Sequence, residues 1–138
     1  MIAYFDTSAV VKLLIDEPGS ETVERVWHAS DARVCSTVGY AEAAAALGRA
    51  GRAGRLSPSG VRRSVTGLAE LWTAFHRTVV DDELASHAAD LALTHGLRGF
   101  DAIHLAAAVA TAELLVTADR SLLGAAASVG LAVADVAV

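Results

Sequence analysis

Cysteine, proline, aromatic residues and positive charge are all scarce in this 138-residue chain, and each shortage excludes something. A single cysteine, Cys35, leaves no internal disulfide and no cysteine-rich zinc site, and its apolar surroundings mark it as a small core residue. Two prolines beside 11 glycines exclude collagen-like and proline-rich chains. Aromatics are only 5% of the residues while alanine abounds, which favours closely packed helices. Long hydrophobic runs are missing too. The longest uncharged C-terminal stretch, 121–134, is shorter than the ~20 residues a bilayer span needs, and Gly124 and Gly130 interrupt it. No basic segment precedes the apolar start, Met1-Ile-Ala-Tyr-Phe-Asp6, so no signal peptide is expected. The expectation is a soluble, cytoplasmic protein with no membrane partner. Sixteen acids against 11 bases leave a net charge of −5, which argues against holding nucleic acid by overall charge. Acids gathered around cations remain compatible with that total, because a bound metal reverses the local sign.

What is present points to a folded domain. Hydrophobic residues make up 54% and charged residues 20%, and the length suits one domain, 1–138, with a sizeable core. Short apolar runs at 1–5, 33–37, 79–80, 114–117 and 131–133 read as strands. Helical patterns fall between them: 9–16 capped by Ser8, a second helix from Ser20, then 39–49 stopped by Gly51 and Gly54. Further ones cover 58–76 behind Ser57-Pro58, 82–96 capped by Asp81 and Asp82, 100–112 and 121–126. Alternation of short buried strands with helices predicts a three-layer α/β/α domain around a mainly parallel sheet. Ligands of such sheets bind beyond the carboxyl ends of the strands.

Four acids meet that positional rule or lie beside it. Asp6 closes the first strand, Glu42 and Asp101 fall in the first turns of helices, and Asp119 follows the 114–117 strand. Each has apolar or small neighbours, where an uncompensated carboxylate is costly. Taken singly, Glu42 and Asp101 could be helix-terminus charges and Asp119 a cap. Taken together they suggest an oxygen-only site for Mg²⁺ or Mn²⁺. Asp6 is the first choice for direct ligation, Asp101 and Asp119 complete the set, and Glu42 ligates through water or orients the nucleophile. Thr117 and Ser8 could hydrogen-bond the carboxylates and fix their rotamers.

Four segments carry a family likeness: Asp6-Thr7-Ser8-Ala9-Val10-Val11-Lys12-Leu13; Glu42 after Ser36-Thr37; Arg98-Gly99-Phe100-Asp101-Ala102-Ile103-His104-Leu105-Ala106; and Leu115-Val116-Thr117-Ala118-Asp119-Arg120-Ser121-Leu122. The chain resembles PIN-domain ribonucleases, in the short single-domain form of the VapC toxins of bacterial toxin–antitoxin pairs. The resemblance spans essentially the whole chain and is thinnest over 49–78. It implies a PIN-like fold, with Asp6, Glu42, Asp101 and Asp119 holding one or two Mg²⁺ or Mn²⁺ ions. It also implies Thr7, Ser8 and Thr117 as supporting hydroxyls, and hydrolysis of tRNA or rRNA at single-stranded loops. A cognate VapB-like antitoxin would lay its tail over the acids.

The remaining candidates are weaker. Arg49, Arg52, Arg55, Arg62 and Arg63 lie in a stretch, 43–69, that has no acid. Arg49, seven residues after Glu42 and on the same helical face, is expected with Arg52 to hold RNA phosphates. The alternative is a solvated hairpin. His104, three residues after Asp101, reads as a packed or capping histidine in preference to a ligand or proton-transfer group, and Trp27 and Trp72 read as core or interface residues. Ala43, Ala44, Ala46, Leu47, Val61, Val65, Leu68, Leu71 and Trp72 are too many apolar groups for one small core. They imply an exposed apolar groove for a homodimer or a partner helix. The rival readings are a catalytically silent PIN-like interaction module, a phospho-accepting receiver domain and an aspartate-nucleophile phosphatase. Lys12 is the only lysine, which disfavours the receiver; Ser8 stands where the phosphatase wants its second acid.

Overall fold

Side chains of successive residues in a strand leave on opposite faces, and here both faces are buried. Ala3 and Phe5 enter one apolar cluster and Tyr4 the other; Cys35 and Val34 part in the same way, as do Val116 and Leu115. The three inner strands therefore carry apolar residues on both faces rather than on alternate positions. The computed structural model describes all of residues 1–138. Its elements are β1 (Ile2–Phe5), α1 (Thr7–Leu14), α2 (Ser20–Ala29), β2 (Ala32–Ser36), α3 (Val38–Arg52), α4 (Pro58–Trp72), β3 (His76–Thr78), α5 (Asp82–His95), α6 (Gly99–Thr111), β4 (Leu114–Thr117), α7 (Arg120–Ser128) and β5 (Ala132–Asp135).

The five strands form one sheet in the order β3-β2-β1-β4-β5, and every neighbouring pair is parallel. The expected three layers are present, and the sheet is wholly rather than mainly parallel. Residues of α5, α6 and α7 pack on one face of the sheet; α1 to α4 cover the other. Helix α6 is wrapped by neighbours, with Ala102, Leu105, Ala106, Ala107 and Ala108 all fully buried, so its small side chains let it lie close to the sheet. On the opposite face, Phe5, Trp27, Phe75, Trp72 and Tyr40 form a chain of edge-on and tilted aromatic contacts, with ring centroids 5.1–6.0 Å apart. Trp72 is a core residue and Trp27 packs against the same cluster partly buried, in keeping with the expectation of core or interface residues. No helix is long and apolar enough to cross a membrane.

Several boundaries differ from those expected, each for a local reason. Asp6, not Ser8, caps α1, accepting the Ala9 amide at 3.0 Å. Helix α3 runs through Gly51 to Arg52. Gly51 is kept by packing, since a Cβ there would stand 2.6 Å from Cγ2 of Val61 on α4. Helix α4 ends at Trp72, not residue 76, because the chain must turn to bury Phe75. The third strand is His76–Thr78 rather than 79–80: it is a polar edge strand that pairs with β2, while Val79 is left exposed. The apolar surplus of the α3–α4 hairpin is smaller than anticipated. Ala43, Leu47, Leu68 and Trp72 are buried in the core, Val65 stays exposed, and a groove of about 340 Å³ lies between Leu13 and Leu14 of α1, Leu56, and Gly67 of α4.

One close approach sets where α3 begins. A Cβ on Gly39 would lie 2.5 Å from Sγ of Cys35, with Cε1 of His104 and the Trp72 ring just beyond. Gly39→Ala should therefore destabilise the fold by about 1–3 kcal/mol. Cys35→Ala in the same chain should recover part of that loss, so that urea unfolding shows the pair to be less damaging than the sum of the two single changes. Strictly additive losses would show that the two residues do not press on one another.

Candidate active site

From β1 the sheet grows outward through β2 to β3, then resumes on the other side of β1 with β4 and β5. The crevice beyond the strand ends at such a reversal is where parallel α/β sheets bind ligands. A cleft of about 350 Å³ opens there, and Asp6, Glu42, Asp101 and Asp119 all line it. Four carboxylates from four distant segments thus meet in one place.

Asp6 is the most constrained. Only 3% of the residue is exposed. Its Oδ1 accepts the Ser8 hydroxyl at 2.7 Å and the Ala9 amide at 3.0 Å, and its Oδ2 accepts the Thr117 hydroxyl. Burial pushes the Asp6 carboxyl above the usual carboxylate range, and the nearby His104 and these three hydrogen bonds hold back the rise. The supporting hydroxyls are supported in turn. Ser8 Oγ accepts the Ala118 amide at 3.0 Å, and Thr117 Oγ1 accepts the Asp119 amide at 3.0 Å. The ends of β1 and β4 are thereby tied through the site itself.

Glu42, in the second turn of α3, is half-buried and held at one oxygen. Thr7 donates its hydroxyl to Oε1 at 2.7 Å, and His104 Nε2 stands 2.6 Å from the same atom. Burial alone would raise the Glu42 carboxyl, but these two partners and the charge of Arg49 carry it below its ordinary value. Hydrogen positions follow from Tyr4. Its hydroxyl oxygen accepts the Ser36 amide at 2.9 Å, so its proton goes to His104 Nδ1 at 2.7 Å, leaving the Nε2 proton for Glu42. His104, expected to be a packing histidine, is 2% exposed and lines the cleft, where it orients a carboxylate.

Asp101 and Asp119 are bridged by Arg98. Its Nε donates to Asp101 Oδ2 at 3.1 Å, and its Nη2 lies 3.8 Å from Asp119 Oδ2. Asp119 also caps α7 through Oδ1, which accepts the Leu122 amide. Helix capping and site lining are thus combined in one residue rather than being alternatives. As the side chains stand, no three His, Cys, Asp or Glu groups are arranged to hold a metal ion. Instead, a guanidinium that is 84% exposed supplies the positive charge between two of the acids.

Arg49, Arg55 and Arg98 also line the cleft, placing guanidinium groups around the acidic floor, while Lys12 at its edge is paired with Glu17 at 3.2 Å. Arg52, expected beside Arg49, does not. Its Nη1 lies back over Gly48, 3.4 Å from where a Cβ there would stand. Arg55 takes its place because the turn after α3, with Gly54 at φ +76°, returns the chain so that the Arg55 amide bonds the Ala50 carbonyl. Arg98 and Arg55 were missed, and His104 was read as packing in preference to a site role. Arg98 and His104 sit three residues either side of Asp101, a spacing that does place them near it on a helix.

An α/β domain with a carboxylate-lined cleft at its strand reversal is the class that fold and geometry define. A family model described as PIN domain matches residues 3–127, and the chain belongs to the PIN-domain family. Two curated relatives, Ribonuclease VapC45 and Ribonuclease VapC49, from two strains of Mycobacterium tuberculosis, are each 38% identical over 112 residues, covering 81% of this chain and 78% of theirs. Among solved structures, VapC20 of M. tuberculosis, described as a sarcin-ricin loop cleaving toxin, superposes with a TM-score of 0.70 at 18% identity, over 89% of this chain and 94% of that one. VapBC-1 from nontypeable Haemophilus influenzae matches at 0.67 and 18% identity over the full length of both chains. PAE2754 of Pyrobaculum aerophilum matches at 0.72 and 22% identity, over 99% and 85%. These structural likenesses confirm the PIN-like fold.

Because the Asp6 pKa is raised on folding, the folded chain holds a proton that the unfolded chain has released, so stability should fall as pH rises from the ordinary carboxyl range through the raised value. Asp6→Asn removes that titration. Its thermal midpoint without added metal should equal or exceed that of the parent at pH 7, with a flatter pH profile. A midpoint below that of the parent at neutral pH but not at acid pH would mean that the ionised carboxylate stabilises the fold.

Proposed function

We propose that this protein is a VapC-type toxin: an endoribonuclease, dependent on Mg²⁺ or Mn²⁺, that hydrolyses RNA phosphodiester bonds. The observation that carries the reading is the convergence of Asp6, Glu42, Asp101 and Asp119 on one cleft ringed by basic side chains. Membership of the PIN-domain family and two relatives named as ribonucleases support it.

The donor set suits a hard divalent cation, being carboxylate and hydroxyl oxygen without cysteine. A carboxylate offers about four lone-pair positions, and hydrogen bonds take three of Asp6's, leaving Oδ2 able to accept one more partner. Asp6, Asp101 and Asp119 would hold the ion, with Arg98 standing in for its charge at the last two. A bound divalent cation supplies charge neutralisation at the phosphate and acidifies water. The chain's own groups do the positioning. Thr7 and His104 fix Glu42 through Oε1, which leaves Oε2 to orient a water and accept its proton. Arg49 and Arg55 hold the phosphates on either side.

The natural substrate is proposed to be structured RNA, tRNA or rRNA, cut in an unpaired loop, in keeping with the neighbour described as cleaving the sarcin-ricin loop. A cognate VapB-like antitoxin is the proposed inhibitor, with a basic residue pairing with the acids. The α1–α4 groove is the proposed seat for its apolar part or for a second copy of the chain in a homodimer. The neighbour VapBC-1 supports such a partnership.

Purified protein should cut RNA with Mg²⁺ or Mn²⁺, stop with EDTA and resume when metal is returned. Asp6→Asn should lose about a thousandfold or more of the rate, and Mn²⁺ should raise the melting temperature of the parent but not of the variant. Chelator-resistant cleavage would remove the metal from the reading. An inert parent would leave a PIN-like interaction module.

The two arginines supply a paired test. Arg49→Glu should weaken RNA binding and flatten the plot of log affinity against log salt by about 0.7, the slope that one neutralised phosphate of a single strand contributes. Arg52→Glu, which changes a residue outside the cleft, should move that slope far less. Equal effects would return both residues to the solvated surface.

A further inference from the structure

Phe100 has no structural partner. Phe5 and Phe75 are 0% and 6% exposed, but Phe100 is 58% exposed, enters neither apolar cluster and stacks on no other aromatic ring. It occupies the first turn of α6, directly before Asp101. Two open grooves adjoin the carboxylate cleft, of about 480 and 430 Å³. Phe100, Glu42 and Arg49 border both. Val38, Ala41 and Ala45 of α3 wall one groove, and Ile103 with Arg98 walls the other. An unshielded aromatic ring thus stands beside an apolar wall, with a guanidinium and the catalytic carboxylates within the same depressions. Burial does not explain the ring, and the charges around it suit a ligand that is flat and apolar at one end and anionic at the other.

We propose that Phe100 is the stacking platform for an unpaired nucleobase flanking the scissile phosphate, with Arg49 taking that nucleotide's phosphate. This rests on RNA being the substrate. Stacking on a phenyl ring tolerates any base, because every base has a π-face. The subsite therefore selects strandedness rather than sequence: a base held in a duplex cannot lie on the ring, whereas a loop base can.

The test uses the full chain carrying Asp6→Asn, so that RNA stays intact, with single-stranded RNA oligonucleotides bearing 2-aminopurine at one position at a time. Fluorescence should be quenched at one or two adjacent positions. Phe100→Ala should abolish the quench and weaken binding by about 5- to 150-fold, the equivalent of 1–3 kcal/mol per stacked base; Phe100→Trp should keep both. An abasic nucleotide at the quenched position should weaken the Phe100 protein by the same factor and the Ala variant no further. Undiminished binding by Phe100→Ala, or quenching that survives it, overturns the proposal. So does a shift from dimer to monomer in sedimentation with RNA affinity retained, which would make the ring a contact between copies. Failure of Phe100→Ala to capture an antitoxin peptide that the parent captures, with RNA affinity intact, overturns it too. If the parent cuts RNA and Phe100→Ala binds and cuts equally well, the subsite falls and the nuclease reading stands. If base-localised quenching is found but the parent does not cut, the nuclease reading falls and Phe100 stands only as a stacking platform for bound RNA.

Discussion

A carboxylate at the end of the central strand organises this molecule. Asp6 ends β1, caps α1 through Oδ1, and accepts at Oδ2 a hydroxyl from the last residue of β4. One buried carboxyl group therefore fixes the start of a helix, the junction of two strands and the floor of the cleft. The same burial that makes the carboxyl reluctant to ionise holds it rigidly, and a rigid mount is what a ligand-binding acid requires. Around it, Glu42 is placed by α3, whose first turn packs closely on Cys35 at Gly39, and Asp119 is held by its own cap of α7.

Much of the fold was legible because its signals are local. Apolar runs ending in an acid, Ser57-Pro58 before α4 and the acid pair Asp81-Asp82 before α5 all mark real elements. The signals that misled were those overridden by packing. Gly51 reads as a helix stop, yet contact with Val61 keeps it helical. His76-Arg77-Thr78 does not read as strand, since it sits at the sheet edge where apolarity is not demanded.

The site divides along the same line. Asp6, Glu42, Asp101 and Asp119 could be found because each ends or begins an element, and the topology of a parallel sheet brings such positions together. Thr7, Ser8 and Thr117 were legible as their near neighbours. His104 was only half legible: its spacing from Asp101 brings it near the acids, but a histidine in an alanine-rich helix reads first as packing. Its role comes from Tyr4, one hundred residues away, which settles which ring nitrogen bears the proton. Arg55 and Arg52 exchanged places for an equally non-local reason: the path of the turn after α3 decides which guanidinium returns to the cleft.

The polarity that hid β3 has a further effect. A parallel sheet of five short strands ends in two unpaired rims, each able to recruit a stray extended segment. On the β3 rim the strand is only three residues long, His76 and Arg77 are exposed, and the guanidinium of Arg77 leans back over the Trp72 ring, 5.7 Å from its centroid, while donating to the Trp72 carbonyl at 3.2 Å. A charged, abbreviated border of this kind offers little template for intermolecular zippering, so it discourages aggregation where an apolar strand would invite it.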